Sequence, residues 1–191
     1  MDDHHRAPPT RRDFLSVCTA SFAAVGGTLA AWPLFAQANP NAATPSPSIL
    51  IDLTPIRPGQ AITVSWRAQP VIIRHRTPIE VDLARSVPLN ELIDPHARNA
   101  ALPANAPASD ANRTHAGKPE WLVVVGVCTH LACRLETNDA FARESNDGWF
   151  CRCHAARFDL AGRVRSGPAP TNLSVPPYRF VARNRMEIGR T

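Results

Sequence analysis

The sequence predicts an all-β domain of short antiparallel strands, preceded by one N-terminal transmembrane helix. Apolar residues alternate over short stretches from residue 49 onward, a pattern typical of half-buried strands. The chain has 19 prolines among 191 residues, about twice the usual share of roughly 5%, which argues against an all-helical fold. An almost uncharged apolar stretch from residue 14 to residue 36 comes before this region. We therefore expect a membrane helix followed by an antiparallel β domain.

The N-terminus carries an export address. The motif T-R-R-D-F-L at residues 10–15 fits a twin-arginine signal. The stretch 14–36 can span a hydrocarbon core of about 30 Å, and it exceeds the core of about 7–15 residues in a cleaved signal peptide. Residues 36–38 (A-Q-A) offer a cleavage site, but the length favours a retained signal anchor. The positive-inside rule keeps Arg11 and Arg12 in the cytoplasm, so residues 1–13 are the expected cytoplasmic region.

The head is expected to follow a linker. Residues 37–48 contain three prolines and no apolar period, which predicts a flexible hinge, and residues 49–191 form the head. Alternation predicts strands over residues 49–53, 62–66 and 70–74, a buried strand over 121–127, and strands beginning at Trp149, near Phe158 and at Tyr178. Helical spacing predicts a short helix within residues 88–97, and residues 100–117 are predicted to be a loop or a mobile excursion.

Two clusters of cysteine and histidine carry the chemistry. They read C-T-H-L-A-C at residues 128–133 and C-R-C-H at residues 151–154. Each offers a Cys and a His close together, with one Cys to spare that could pair with its counterpart. Two Cys and two His suit a [2Fe–2S] centre in which imidazoles replace thiolates on one iron. A structural zinc site also accepts Cys2His2, but its usual spacing places the two cysteines together and then the two histidines. Spacing favours iron–sulfur and leaves zinc as an alternative.

These loops resemble those of the Rieske iron–sulfur proteins, which read C-T-H-L-G-C and C-P-C-H-G-S. The resemblance implies a set of four cluster ligands, Cys128, His130, Cys151 and His154, and a disulfide between Cys133 and Cys153. P-E-W-L-V-V-V-G-V at 119–127, G-P-A-P at 167–170 and V-P-P-Y at 175–178 look like the Rieske subunits of cytochrome bc1 complexes. The resemblance covers most of the chain after about residue 50 and implies a cluster-binding subdomain at about residues 120–175.

The resemblance implies an enzyme subunit that transfers electrons in a bacterial quinol–cytochrome c oxidoreductase. Such a subunit takes an electron and a proton from quinol at cytochrome b and passes the electron to cytochrome c1. In the family, the ligand in the position of His154 faces the quinol pocket, so His154 is the expected catalytic residue. The implied location is the bacterial inner membrane, with a single span and the head on the periplasmic side. One alternative is a small Rieske subunit of another exported oxidoreductase, such as arsenite oxidase, and another is a zinc-stabilised interaction module.

Several residues depart from the family pattern. Ala132 and Ala155 replace glycines, and they take positive φ if those glycines do. Ala156 and Phe158 replace a serine and a tyrosine whose hydroxyls donate to a cluster sulfur and to a ligand cysteine in high-potential members. Because such donors stabilise the reduced cluster, their absence predicts a lowered potential. The family's aromatic–Asp pair is kept, and Asp159 is expected to be a turn or hydrogen-bonding residue.

The remaining basic residues indicate no second function. The formal net charge is +5, yet no Lys/Arg run or aromatic–basic interleaving predicts a nucleic-acid partner. Arg74, His75 and Arg76 are predicted to lie on a solvated strand face. The histidines outside the loops are predicted to be solvated or structural; they are His4, His5, His75, His96 and His115.

Overall fold

A computed structural model of the chain describes residues 10–38, 48–135 and 148–190. The chain divides into two compact units, Met1–Pro45 and Ser46–Thr191. In the first unit, helix α1 runs over Arg11–Ala38. The Thr10 hydroxyl accepts from the Asp13 backbone N–H at 3.3 Å, while the Asp13 carboxylate accepts from the Thr10 N–H at 2.9 Å. This reciprocal pair caps the helix start.

Helix α1 confirms the predicted apolar helix. By length and composition, residues Arg11–Phe35 could cross a membrane, with 25 residues and a mean hydropathy of 1.6. At 1.5 Å per residue this segment is about 37 Å long, more than a hydrocarbon core of about 30 Å. The predicted hinge at 37–48 lies almost entirely outside the described residues.

Three antiparallel three-stranded sheets make up the described part of the second unit. The first has the order β2-β3-β4, with strands at Ala61–Trp66, Gln69–His75 and Trp121–Val125. Ile73 of β3 pairs with Ile62 on one side and with Val123 on the other. Strand β3 lies between its two partner strands, its residues 70–74 are buried, and Ile73 and Val123 are completely buried. Burial of each such side chain stabilises the fold by about 1.5–3 kcal/mol.

The second sheet has the order β1-β9-β8. Its strands are β1 (Ile49–Asp52), β8 (Tyr178–Ala182) and β9 (Arg185–Ile188). The third sheet has the order β5-β6-β7, with strands at Trp149–Cys151, Ala156–Phe158 and Val164–Ser166. The three sheets share one hydrophobic core, whose members include Ile51, Met186, Ile72, Val124, Trp149, Phe158 and Val164. The predicted all-β antiparallel architecture is confirmed.

The segment between β3 and β4 differs from the prediction. Helix α2 covers Pro78–Ser86, a 3₁₀ helix covers Leu89–Glu91 and a short helix α3 covers Asp110–Arg113. The helix predicted within 88–97 is thus a single 3₁₀ turn, and the helix α2 before it was not predicted. Its start carries a complete capping box, in which Thr77 and Glu80 bond to each other's backbone N–H, and Pro78 occupies the first turn.

Two charged residues of the predicted solvated face are buried. Arg74 is 5% exposed and Arg76 is 1% exposed, because both have acidic partners in the segment between β3 and β4. Arg74 pairs with Glu80, and Arg76 donates to Asp110 at 2.6 Å. The expectation of a solvated strand face was therefore wrong for these two arginines.

Residues 100–117, predicted to be a loop or a mobile excursion, form a loop that contains the short helix α3. Arg113 is completely buried, and its guanidinium donates to the carbonyl oxygens of Ala97, Ala161 and Gly162. Burial lowers the pKa of Arg113 to about 10, which still leaves it a cation at neutral pH. The segment is anchored in the core by this side chain.

Candidate metal centre

The first cysteine–histidine loop follows strand β4 directly. It closes on itself, because the Cys128 N–H donates to the Cys133 carbonyl at 2.8 Å and the Ala132 N–H donates to the Cys128 carbonyl at 3.0 Å. Ala132 has φ +58°, a left-handed conformation that glycine adopts at lower cost. The tight turn leaves Cys128 only 2% exposed and places His130 at the turn.

The second loop connects strands β5 and β6. Cys151 ends β5 and is the register partner of Ala156, which begins β6, so the residues between them form a tight hairpin turn. Ala155 has φ +58°, as expected if it replaces a left-handed glycine. Cys151 is completely buried, whereas His154 is exposed. The same pattern thus recurs in both loops: a buried cysteine is followed by a more accessible histidine.

A disulfide joins the two loops. Cys133 is bonded to Cys153, with their Cα atoms 6.7 Å apart, within the usual range for such bonds. The Cys151 sulfur lies within 4.8 Å of both disulfide sulfurs. Because the two disulfide sulfurs are bonded to each other, Cys151 is the one member of this group with a thiol able to bind a metal. The described free cysteines near the loops are Cys128 and Cys151.

The structure pairs the expected ligands by type, the two histidines with each other and the two free cysteines with each other. The rings of His130 and His154 lie 4.6 Å apart between centroids, with an interplanar angle of 88°. Burial raises the pKa of the Cys128 thiol; backbone N–H groups of His130 and Leu131 oppose this, and the neighbouring Cys151 thiol adds to it. Two buried thiols beside each other and two adjacent imidazoles are a donor set that a metal centre needs.

One buried atom tests whether this donor set fits an iron–sulfur cluster. Among the described residues, Nδ1 of His130 is one of five buried side-chain nitrogen or oxygen atoms that lack a hydrogen-bond partner, and Nδ1 of His96 is another. An orphaned buried nitrogen is rare in native proteins and needs an explanation. A metal bond supplies one, since neutral imidazole binds metals through either ring nitrogen. The residues present therefore fit a centre with two Cys and two His ligands.

A third loop contacts both cluster loops. We call residues 167–171 the proline loop. Gly167 has φ +90°, and a Cβ atom there would lie 2.6 Å from the Ala156 Cα, so the backbones approach as closely as glycine allows. At the other end, the Thr129 hydroxyl donates to the Thr171 carbonyl at 2.7 Å. The proline loop therefore packs against the second loop through Gly167 and bonds to the first through Thr171.

The hydroxyl donors of high-potential Rieske proteins are absent beside the cluster loops, as the sequence predicts. Ala156 and Phe158 are completely buried in strand β6, and neither carries a polar side-chain atom. Asp159 follows and is confirmed as a hydrogen-bonding turn residue. Its carboxylate accepts from the backbone N–H groups of Ala161 and Arg163 and from the Arg163 Nε at 2.7 Å.

Sequence reasoning missed several residues that support the site. Arg163, which is 1% exposed, also donates to the carbonyls of Ala84 and Ala108. These hydrogen bonds connect the turn after β6 to the segment between β3 and β4. Asn172 and Asp94 bond to each other across the chain. A paired Asp and Arg four residues apart, Asp159 and Arg163, is a signal that could have been noticed.

The other histidines have structural surroundings. His75 stacks on Trp121 with 4.1 Å between centroids, and its Nδ1 lies 2.7 Å from the Ile56 carbonyl oxygen. His115 packs edge-on against Phe180, and His96 takes part in a β-bridge with Pro107. His4 and His5 lie outside the described residues.

Comparison with known proteins identifies the class of the site. Residues 110–179 match the family model for the Rieske [2Fe-2S] domain, and this range includes both cluster loops and the proline loop. Residues 1–41 match the model described as "Ubiquitinol-cytochrome C reductase Fe-S subunit TAT signal", which confirms the predicted export signal. Fold and site together define a Rieske-type iron–sulfur protein, with one [2Fe–2S] cluster as cofactor.

Full-length relatives specify the family. A protein of Bradyrhizobium diazoefficiens is 47% identical over 184 residues, covering 95% of each chain, and one of Cereibacter sphaeroides is 44% identical over 183 residues, covering 94% of this chain and 95% of its own. Both are named ubiquinol-cytochrome c reductase iron-sulfur subunit. The chain belongs to the family of ubiquinol–cytochrome c reductase iron–sulfur subunits. A solved chain from a hyperthermophilic respiratory complex III covers 90% of this chain and 98% of its own length at 21% identity and TM-score 0.43, too weak a likeness to carry an argument.

Proposed function

We propose that Cys128, His130, Cys151 and His154 hold the [2Fe–2S] cluster, and that the chain is the electron-transfer subunit of a bacterial quinol–cytochrome c oxidoreductase. The observation that carries this assignment is the pairing of the two loops. Once the disulfide uses Cys133 and Cys153, each loop is left with one free buried cysteine and one histidine. Thiolate and imidazole ligands in equal number are what a Rieske centre requires.

The two histidines have different roles in this proposal. When bound, a Rieske cluster supplies a one-electron acceptor with a potential in the range of about −150 to +300 mV. The orphaned Nδ1 of His130 points to Nδ1 as its ligand atom, and we assign His154 the same ligation. Each Nε2 then remains to hold a proton. Since His154 is exposed and His130 is half-buried, His154 is the better placed to receive a proton from quinol.

The partners are inferred from the family, and the membrane location is inferred from helix α1 and the export signal. We propose that the head accepts its electron at a cytochrome b subunit and delivers it to a cytochrome c1 subunit of the bc1 complex. In this proposal helix α1 anchors the chain in the inner membrane and the head lies on the periplasmic side, because a twin-arginine signal directs export. That export route carries folded proteins, so the cluster can be inserted before translocation. The disulfide then lies in a compartment where such bonds persist.

The division of the chain into segments is part of this proposal. Residues 1–13 remain cytoplasmic, 14–36 form the anchor, 37–48 form the hinge and 49–191 form the head, whose cluster-binding part lies at about residues 120–175. In this proposal the hinge segment, which contains three prolines, lets the head reach two partners. Membership of the bc1 subunit family disfavours the alternative, a small Rieske subunit of an arsenite-oxidase-like enzyme.

The test uses the intact complex in membranes of a bacterium that lacks its own copy of the chain. Complementation with the wild-type chain should restore quinol-dependent reduction of cytochrome c. His154→Ala should abolish it although b- and c-type haems are still present, because the cluster loses a ligand and the proton loses its acceptor. His115→Ala is the matched control, an exposed histidine outside the loops, and should keep the activity. Wild-type turnover with His154→Ala would overturn the proposal.

A further inference from the structure

A buried carboxylate outside the cluster loops is bonded to the proline loop's C-terminal end. Asp94 is 2% exposed and lies between the 3₁₀ helix and α3. Its Oδ2 accepts from the backbone N–H of Asn172 at 2.9 Å and from Arg98 Nε at 2.8 Å. Its Oδ1 accepts from the His96 N–H at 3.1 Å. The Asp94 carboxylate therefore joins two segments that are far apart in the chain.

Asn172 returns the connection with its side chain. Its Nδ2 donates to the carbonyl oxygens of Asp94 at 2.9 Å and His96 at 2.8 Å, while its Oδ1 accepts from the Val164 N–H at 2.9 Å. The residue is 1% exposed, so these bonds are shielded from water. The residue that directly follows the proline loop is thus held by strand β7 on one side and by the 94–96 segment on the other.

Asn172 lies next to the contact between the proline loop and the first cluster loop. Thr171, the neighbour of Asn172, accepts the hydroxyl of Thr129, and Thr129 stands between the ligand residues Cys128 and His130. Gly167, at the loop's other end, packs on Ala156. A shift of Asn172 would therefore move the proline loop relative to both cluster loops.

We propose that Asp94 is a positioning residue of the cluster site, which acts through Asn172 to fix the proline loop against both cluster loops. The expected effect on the cluster rests on the proposed function. The effect of Asp94 on the proline loop can be measured whether or not that function is right. Hydrogen bonds to a carboxylate are about twice as strong as neutral ones, so the charge makes this anchor stronger than an amide would.

The surroundings of Asp94 keep its charge. Burial raises the pKa of the Asp94 carboxyl, but the hydrogen bond from Arg98 and those from the Asn172 and His96 N–H groups outweigh it and hold the pKa below its ordinary value. The Arg98 side chain is 40% exposed, and its guanidinium donates to both oxygens of the carboxylate, at 2.8 Å and 3.3 Å. The loop is bound by a charged group at any physiological pH.

The experiment compares two single variants of the full-length, cluster-loaded chain. Asp94→Asn keeps the shape of the side chain but removes the charge that binds the Asn172 N–H. Asp52→Asn is the matched control, because it removes the charge of a carboxylate that accepts from a backbone N–H, that of Thr54, at the exposed end of strand β1. Hydrogen exchange at the amides of Asn172 and Leu173 reports the loop, and the EPR line shape and midpoint potential of the cluster report the site.

We expect exchange at both amides to be faster by on the order of tenfold in Asp94→Asn, with a broadened EPR line shape and a shifted midpoint. Asp52→Asn should leave the exchange rates at both amides and the EPR spectrum at their wild-type values. Equal exchange rates and unchanged spectra in Asp94→Asn, or the same changes in both variants, would show that Asp94 only stabilises the fold. If the cluster proved to be bound by other residues, faster exchange in Asp94→Asn would still show that Asp94 holds the proline loop. The two proposals can therefore fail independently.

A second variant decides the matter in case Asp94→Asn does not fold. Asn172→Ser keeps the backbone N–H that donates to Asp94 but removes the bonds to the carbonyls of Asp94 and His96. It should loosen the proline loop in the same direction and by less, with the same two readouts. A folded Asn172→Ser chain with wild-type exchange and spectra would overturn the proposal.

Discussion

His130 and His154 face each other edge to face, with 4.6 Å between their ring centroids, although they belong to different loops. The contact exists because the Cys133–Cys153 bond joins the loops and because each loop makes a left-handed turn, at Ala132 and at Ala155. Two adjacent imidazoles, one from each loop, support the proposal that both bind one metal centre.

The disulfide should stabilise the head measurably. It closes a loop with a sequence separation of 20, for which the chain-entropy model gives about 3 kcal/mol. The double variant Cys133→Ala/Cys153→Ala should lower the free energy of unfolding by about that amount in urea denaturation. Mass spectrometry after alkylation without reductant should find both wild-type cysteines unmodified. Alkylation of both in exported protein would contradict the bond.

The buried pair of Arg76 and Asp110 gives a second stability prediction. Their side chains are 0% and 2% exposed, so Asp110→Ala leaves a guanidinium buried without its partner. Such a change typically costs about 3–5 kcal/mol, which urea unfolding should detect. Glu91→Ala is the control, because it removes the more exposed pair of Arg165 and Glu91, whose side chains are 32% and 57% exposed, and should cost less than about 1 kcal/mol. Similar losses in both variants would mean that the burial of Arg76 contributes little.

The close approach of the proline loop predicts the effect of an added methyl group. Gly167→Ala would place a Cβ 2.6 Å from the Ala156 Cα, whereas Gly117→Ala would meet nothing within 4 Å, and both glycines have positive φ. Both variants carry the conformational cost of about 1 kcal/mol, but overpacking should add about 1–3 kcal/mol to Gly167→Ala alone. Equal unfolding free energies for the two would show that the proline loop can move away from β6.

The strands were predictable where their periodicity was long. Strands β2 and β3 have six and seven residues, enough to show the alternation or the apolar run that marks a strand. Strands β7 and β9 have three and four residues and include Arg165 and Glu187, too short and too polar to show a period. Helix α2 was missed although Thr77, Pro78 and Glu80 form a recognisable N-terminal signature.

The cluster loops were predictable because their ligand types and spacing are local in sequence. The burial of the arginines was not predictable. Arg and Asp are rarely buried unless they are paired, and the paired residues Arg76 and Asp110 are 34 residues apart in the sequence. Asp94 and Asn172 are separated by 78 residues, so nothing local indicates their contact. The support of the site is therefore visible only once the chain is folded.

The potential of the cluster should respond to the missing hydroxyls. Ala156 and Phe158 are buried beside the second loop, where the resemblance to Rieske proteins places a serine and a tyrosine. Donors to cluster sulfur stabilise the reduced state, so Ala156→Ser and Phe158→Tyr should each raise the midpoint potential, and the double variant should raise it further. Voltammetry of the cluster-loaded chain measures the effect. An unchanged midpoint in the double variant would show that other groups set the potential.

The ligand assignment is tested most directly by EPR spectroscopy of the reduced full-length chain. Cys128→Ser, His130→Ala, Cys151→Ser and His154→Ala should each abolish the Rieske signal, while Cys18→Ser, which removes the cysteine within helix α1, should leave it intact. A normal Rieske spectrum from any one of the four ligand variants would contradict the assignment.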